Sequence, residues 1–156
     1  MAMKDHRRVC DLMTRNPVRC EPGVSVAEVA RLMLENSCGE VLVCDGDYLL
    51  GVITDRDIVC RVVARSVNPI FVTAREIMTS GVTVAREDHE VAAVIELLAK
   101  TGVRRLPVLD VDRHVVGIVS QVDIAEKSSE RDAGHLLRAQ ARTRRSLRAR
   151  PRAFTH

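Results

Sequence analysis

The chain repeats itself. Leu12-Met13-Thr14 returns as Ile77-Met78-Thr79, 65 positions later, and Gly51-Val52-Ile53-Thr54-Asp55-Arg56-Asp57-Ile58 returns as Gly117-Ile118-Val119-Ser120-Gln121-Val122-Asp123-Ile124, 66 positions later. The one-residue difference is a single insertion in a turn. Two copies of one small unit are therefore expected, each of about 60 residues. That is near the lower size at which a lone core suffices, so the copies are expected to bury hydrophobic faces against each other. A site built by one copy should have a counterpart in the other.

Each copy reads alike. A short helical turn (Asp11–Thr14, Arg75–Thr79) precedes an extended stretch (Pro17–Cys20, Val82–Ala85). An amphipathic helix follows, with Val26, Val29, Ala30 and Met33 on one face in the first copy and Val91, Val94, Ile95 and Leu98 in the second. Ser25 with Glu28 predicts a capping box, and Asp88 an N-cap. Then come paired β-rich runs, Val41–Cys44 with Leu49–Ile53 and Leu106–Leu109 with Val115–Val119. Asp45-Gly46-Asp47 is a hairpin signal, and Pro107 suits a strand start or edge. Second helices are expected at Asp55–Ala64 and Gln121–Lys127, and Asn68-Pro69 marks a linker. The order β-α-β-β-α, twice, predicts an α+β fold. The expected divisions are motif one at 8–65, a linker at 66–73, motif two at 74–127 and an Arg-rich tail at 128–156.

Composition narrows the function. With two Phe, one Tyr and no Trp, a base-stacking nucleic-acid platform is disfavoured. From residue 126 on, eight Arg and one Lys face three acids, giving +6; the remainder carries −3 of the total +3. That tail fits either a helix around His135–Leu147 or a disordered basic segment. A merely solvated tail is the favoured reading, with nucleic acid or an acidic partner as the alternative. Cys10, Cys20, Cys38, Cys44 and Cys60 form no C-x-x-C pair and predict reduced, mostly buried thiols rather than a disulfide framework or metal site. The histidines lack ligand spacing, so no metal centre is expected. No run is long enough to span a membrane and no apolar signal region follows the first residues, which predicts a soluble cytoplasmic protein.

The local motif with chemistry is a strand followed by Thr54-Asp55-Arg56-Asp57 at a helix start, matched by Ser120-Gln121-Val122-Asp123. Ser/Thr-x-x-Asp is first of all a capping box. It is also a hydroxyl and a carboxylate beside free helix amides, and such a set can hold a phosphate and the two hydroxyls of a ribose. Capping and binding need not exclude each other. No catalytic constellation is present, and two equivalent aspartates suggest two binding sites rather than one acid–base centre.

These residues resemble the CBS motif, and the pair resembles a Bateman module. The family's G-h-h-T/S-x-x-D pattern is matched by Gly51, Thr54 and Asp57 and by Gly117, Ser120 and Asp123. Its h-M-T opening is matched at Leu12–Thr14 and Ile77–Thr79, and its L-P-V-h-D strand at Leu106–Asp110. The resemblance spans about residues 8–126 and is closest in type to stand-alone CBS-pair proteins of the actinobacterial hypoxic-response group. It implies two motifs in a pseudo-two-fold pair, a homodimer formed through the helices after each aspartate, and a non-enzymatic regulatory protein that binds an adenosine nucleotide or related ligand (AMP, ADP, ATP or S-adenosylmethionine) in a cleft between motifs, with no cofactor required. Carried over, Asp57 and Asp123 hold ribose hydroxyls and Thr54 and Ser120 contact phosphate. Pro17, Val18 and Val41, or Val82, Thr83 and Leu106, surround the base, and Arg56 and Arg105 meet phosphate charge. Leu42 departs from the family's usual Pro, and Glu40 stands where the second copy has Arg105, which favours the second copy if one site binds. The alternative is a ligand-free stress-response or protein-interaction adaptor whose basic tail engages a partner.

Overall fold

The computed structural model describes residues 7–148, with side-chain surroundings in the last helix described to residue 142. The first repeat contains α1 (Val9–Leu12), β1 (Thr14–Arg15), β2 (Arg19–Cys20), α2 (Val26–Glu35), β3 (Glu40–Asp45), β4 (Tyr48–Thr54) and α3 (Asp55–Arg61), followed by a 3-10 turn at Val63–Arg65. The second contains α4 (Ala74–Ile77), β5 (Ala85–Arg86), α5 (Val91–Thr101), β6 (Arg105–Leu109), β7 (Val115–Ser120) and α6 (Gln121–Lys127). A last helix, α7, runs from Glu130 to Arg148. The predicted α+β order is what folds.

The strands form two sheets, β2-β3-β4 and β1-β7-β6-β5. In the first, β2 runs parallel to β3 and β4 returns antiparallel, with Val41 opposite Ile53 and Val43 opposite Gly51. Alternation does the sorting: Val41, Val43 and Ile53 point into one core with Val26, Val29 and Met33 of α2. Gly46 takes a left-handed φ of +57° at the hairpin tip, the conformation that Asp-Gly favours.

Two compact units result, and each takes pieces of both repeats. One gathers Arg15–Val82 with Leu109–Val116; the other gathers the described residues up to Thr14, Thr83–Val108 and the described residues from Gly117 on. The opening helix of each repeat thus folds with the body of the other. In the first-named unit Ala74 and Ile77 of α4 join the core of the α2 sheet, and the β6–β7 turn is tied in by Val115 N donating to Asp47 O at 2.9 Å. In the other, Val9 and Leu12 of α1 are buried, as are Val91, Val94, Ile95 and Leu98 of α5 and Ile124 of α6.

Some local expectations need correction. Ser25 accepts from Glu28 N at 3.2 Å, but the return bond of a capping box is not formed. Asp88 does not cap α5; Glu90 holds the N-cap position, its side chain not used as a cap, and Asp88 instead pairs with Arg86 at 3.0 Å. Ala30 lies exposed beside its buried neighbours Val29 and Val26. The second helix of the first repeat ends at Arg61 rather than Ala64, where the chain tightens into the 3-10 turn. The early tail is not a loose segment: α7 packs on α5 and α6, Leu136 is buried, and Gln140 donates to Val103 O at 3.2 Å. The last residues, 149–156, lie outside the described residues.

Candidate functional site

Both Ser/Thr-x-x-Asp corners form at a strand-to-helix junction, and both are built alike. At the β4–α3 corner, Thr54 N and Thr54 Oγ1 each donate to Asp57 Oδ2 at 2.9 Å, and Asp57 N donates back to Thr54 Oγ1 at 3.3 Å. At the β7–α6 corner, Ser120 N and Ser120 Oγ donate to Asp123 Oδ2 at 2.8 and 2.6 Å, and Asp123 N returns a bond to Ser120 Oγ at 3.1 Å. The capping role is therefore realised in full, and it commits one oxygen of each carboxylate. The side chains of Asp57 and Asp123 are only 17% and 14% exposed.

The second oxygen of each aspartate faces a cation one helical turn on, the spacing at which side chains on a helix meet. Arg61 lies 3.3 Å from Asp57 Oδ1, and Lys127 lies 3.5 Å from Asp123 Oδ1. Each cation also reaches an opening turn. Arg61 donates to Ile77 O and, at 3.0 Å, to Thr79 Oγ1; Lys127 donates to Leu12 O at 2.9 Å. Sequence reasoning missed these two residues. The signal was present: in both repeats a cation stands four positions after the aspartate.

The glycine of each motif explains why that turn fits. A Cβ at Gly51 would stand 2.6 Å from Thr79 O, and one at Gly117 would stand 2.9 Å from Thr14 O and closer still to Met13 Sδ. Backbone runs against backbone here, and Val52 and Thr79 exchange both main-chain bonds, at 3.0 and 2.9 Å. The h-M-T and G-h-h-T/S-x-x-D motifs are the two halves of one joint.

The other residues singled out from sequence fall as follows. Pro17, Val18, Val41, Thr54, Arg56, Asp57 and Val82 belong to one compact unit; Thr83, Arg105, Leu106, Ser120 and Asp123 belong to the other. Val41 and Leu106 are fully buried, main chain and side chain alike, so neither offers a ligand any surface. Pro17, Val18 and Val82 are half-buried, whereas Arg56, Thr83 and Arg105 are exposed. Glu40 is the register partner of Thr54, so a carboxylate sits on the strand position beside the first corner.

Away from the corners, an open hollow of about 420 Å³ lies beside α2, lined by Cys20, Glu21, Val24, Glu28, Leu32 and Cys44 among others. None of the predicted binding residues lines it. Burial pushes the Cys20 thiol up to about 11, with Cys44, Glu21 and Glu28 adding to the rise. Cys44 is raised in the same direction, again chiefly by burial. All five cysteines are free; Cys20 and Cys44 are buried, Cys10 and Cys38 half-buried and Cys60 exposed. Among the described residues, Asp110, Asp112 and His114 bring potential ligating atoms within 4.8 Å of one another. Asp110 Oδ1 is already engaged there by the amides of Asp112 and His114, at 2.9 and 2.8 Å. No described helix is long and apolar enough to cross a membrane.

The CBS domain family matches twice, over residues 9–64 and 74–130. An uncharacterized protein of Methanopyrus kandleri, MK0525, is 35% identical over 119 residues, 76% of this chain and 61% of that protein. The chain thus spans less than two thirds of that relative. Hypoxic response protein 1 of Mycobacterium tuberculosis is 31% identical over 107 residues, 68% of this chain and 74% of its own length. Among solved structures, the CBS domain pair of protein MJ0100, in complex with 5′-methylthioadenosine and S-adenosyl-L-methionine, aligns with a TM-score of 0.68 at 30% identity, covering 77% of this chain and 98% of that one. The doubled corner, the doubled family match and the shared fold agree: this chain belongs to the CBS domain family and carries two CBS domains in tandem.

Proposed function

We propose that this chain is a non-enzymatic regulatory CBS pair that binds an adenosine-containing ligand at its Ser/Thr-x-x-Asp corners. One observation carries the reading. The same carboxylate–hydroxyl corner is built twice, in a fold whose relative MJ0100 is seen with S-adenosylmethionine and 5′-methylthioadenosine. Asp57 and Asp123 accept ribose hydroxyls through the oxygen not used for capping, and Thr54 and Ser120 set the corner. Arg56 and Arg105, both exposed, supply guanidinium forks for phosphate where the ligand has one. Pro17 and Val18 frame the base at the first corner, and Val82 and Thr83 at the second; the fully buried Val41 and Leu106 offer it no surface. Glu40 beside Thr54 opposes an anion at the first corner, so the Ser120–Asp123 corner, with Arg105 in the corresponding place, is the stronger site for a nucleotide. A homodimer formed through α3 and α6 is part of the proposal.

Calorimetric titration and thermal shift with AMP, ADP, ATP, S-adenosylmethionine and 5′-methylthioadenosine test it. Micromolar binding, worth about −8 kcal/mol, is expected for at least one. Asp123→Asn, which keeps an oxygen for the cap, is expected to weaken it tenfold or more with the fold intact. Absence of any response from the unmodified protein to all five ligands overturns the proposal and favours the adaptor reading, in which the basic α7 engages a partner.

A further inference from the structure

We infer that Arg61 and Lys127 are positioning residues of the two corners, each linking its aspartate to the opening turn contributed by the other repeat. The inference rests on the reading above, that the aspartates receive ligand hydroxyls.

Asp57 Oδ2 and Asp123 Oδ2 each already accept an amide and a hydroxyl. A ligand hydroxyl therefore comes to Oδ1, the oxygen facing the cation. That cation is shared. Arg61 also holds Ile77 O and Thr79 Oγ1, and Lys127 also holds Leu12 O. The carbonyls held are the last ones of α4 and α1, helices of four residues each. Helices that short do not persist on their own hydrogen bonds, so the turns depend on what ties them down. A hydroxyl donated to Oδ1 takes up part of the carboxylate's charge and leaves more of the cation's pull for the carbonyl. Ligand binding thus tightens the turn, and by reciprocity a tight turn favours ligand. The arrangement occurs twice, on Arg in one unit and Lys in the other, which a chance surface pair would not reproduce.

Amide exchange by NMR on the full chain tests the link. Saturation with S-adenosylmethionine, which carries no phosphate for Glu40 to oppose, is expected to slow exchange at Val52 and Thr79 about fivefold, the lower range of ordinary coupling, with α2 amides as the control for global stability. Arg61→Met, which keeps the aliphatic stem, is expected to bind more weakly and lose the slowing, and Arg61→Lys to restore it in part. A slowing that persists in Arg61→Met, or none in saturated unmodified protein, overturns the inference. A second arm needs no ligand. Asp57→Asn and Arg61→Met are each expected to speed exchange at Thr79, and the double variant to be no faster than the faster single one. Additive effects overturn the link itself, whereas absence of binding by all five ligands named above overturns the proposed function and, with it, the ligand half of this inference.

Discussion

At Gly51 the space for a methyl group is already taken by the Thr79 carbonyl oxygen, 2.6 Å from where a Cβ would be. Gly51→Ala must push backbone from backbone, and overpacking of this kind costs about 1–3 kcal/mol. A matching drop in urea stability is expected, larger than for Gly117→Ala, whose backbone obstacle, Thr14 O, stands farther off at 2.9 Å. Equal stability of Gly51→Ala and the unmodified protein would show that the joint yields. Cys20 carries a different residue-scale consequence. Its thiol ionises near 9 when free and at about 11 in the fold. Below about pH 9 both states keep the proton and the contribution is fully present; it is lost as pH rises through about 11, because only the unfolded chain gives up its proton early. Denaturant midpoints measured from pH 8 to 11 should fall less steeply for Cys20→Ala than for the unmodified protein. Parallel curves would contradict the burial that causes the shift. At this scale the sequence was informative about the corners themselves: Thr54, Asp57, Ser120 and Asp123 were legible as capping residues, because that bond spans only three positions. Arg61 and Lys127 were passed over, since their second partners lie 16 and 115 residues away.

Elements followed their local patterns where one face was plainly apolar. The periodicity of Val91, Val94, Ile95 and Leu98 marked α5, and all four are buried. Signals that depended on one polar side chain fared worse. Asp88 found a better partner in Arg86 than in the helix amides it was expected to cap. The α7 segment was ambiguous because its arginines obscure a narrow apolar edge, and docking on α5 decided it. Leu136 is the buried anchor of that edge, 1% exposed. Leu136→Ala is expected to cost about 2–5 kcal/mol, read as a lowered thermal midpoint. A loss under 0.5 kcal/mol would mean that α7 adds nothing to its unit.

For the whole molecule, the exposed apolar side chains matter most. Val59 and Val63 are 56% and 63% exposed on α3 and its following turn, and Val122 is 51% exposed on α6. Scattered exposed valines need no explanation, but these lie on the helices through which the proposed homodimer forms. Sedimentation velocity should find a dimer at micromolar concentration, and Val59→Asp with Val122→Asp should convert it to monomer with unchanged circular dichroism. A monomeric unmodified protein, or a dimer indifferent to both charges, would remove those helices as the interface.

The sequence by itself determined the two CBS domains, the order of their elements and the residues at each corner, because repetition, period and capping are written in short stretches of chain. Tertiary structure decided which body each opening helix folds with, and therefore which cation meets which carbonyl. That choice rests on backbone packed against glycine across long separations in sequence, where no periodic pattern records the partner. It also decided that one oxygen of each aspartate is spent on the cap while the other faces a shared cation, a division set by atomic position rather than residue type.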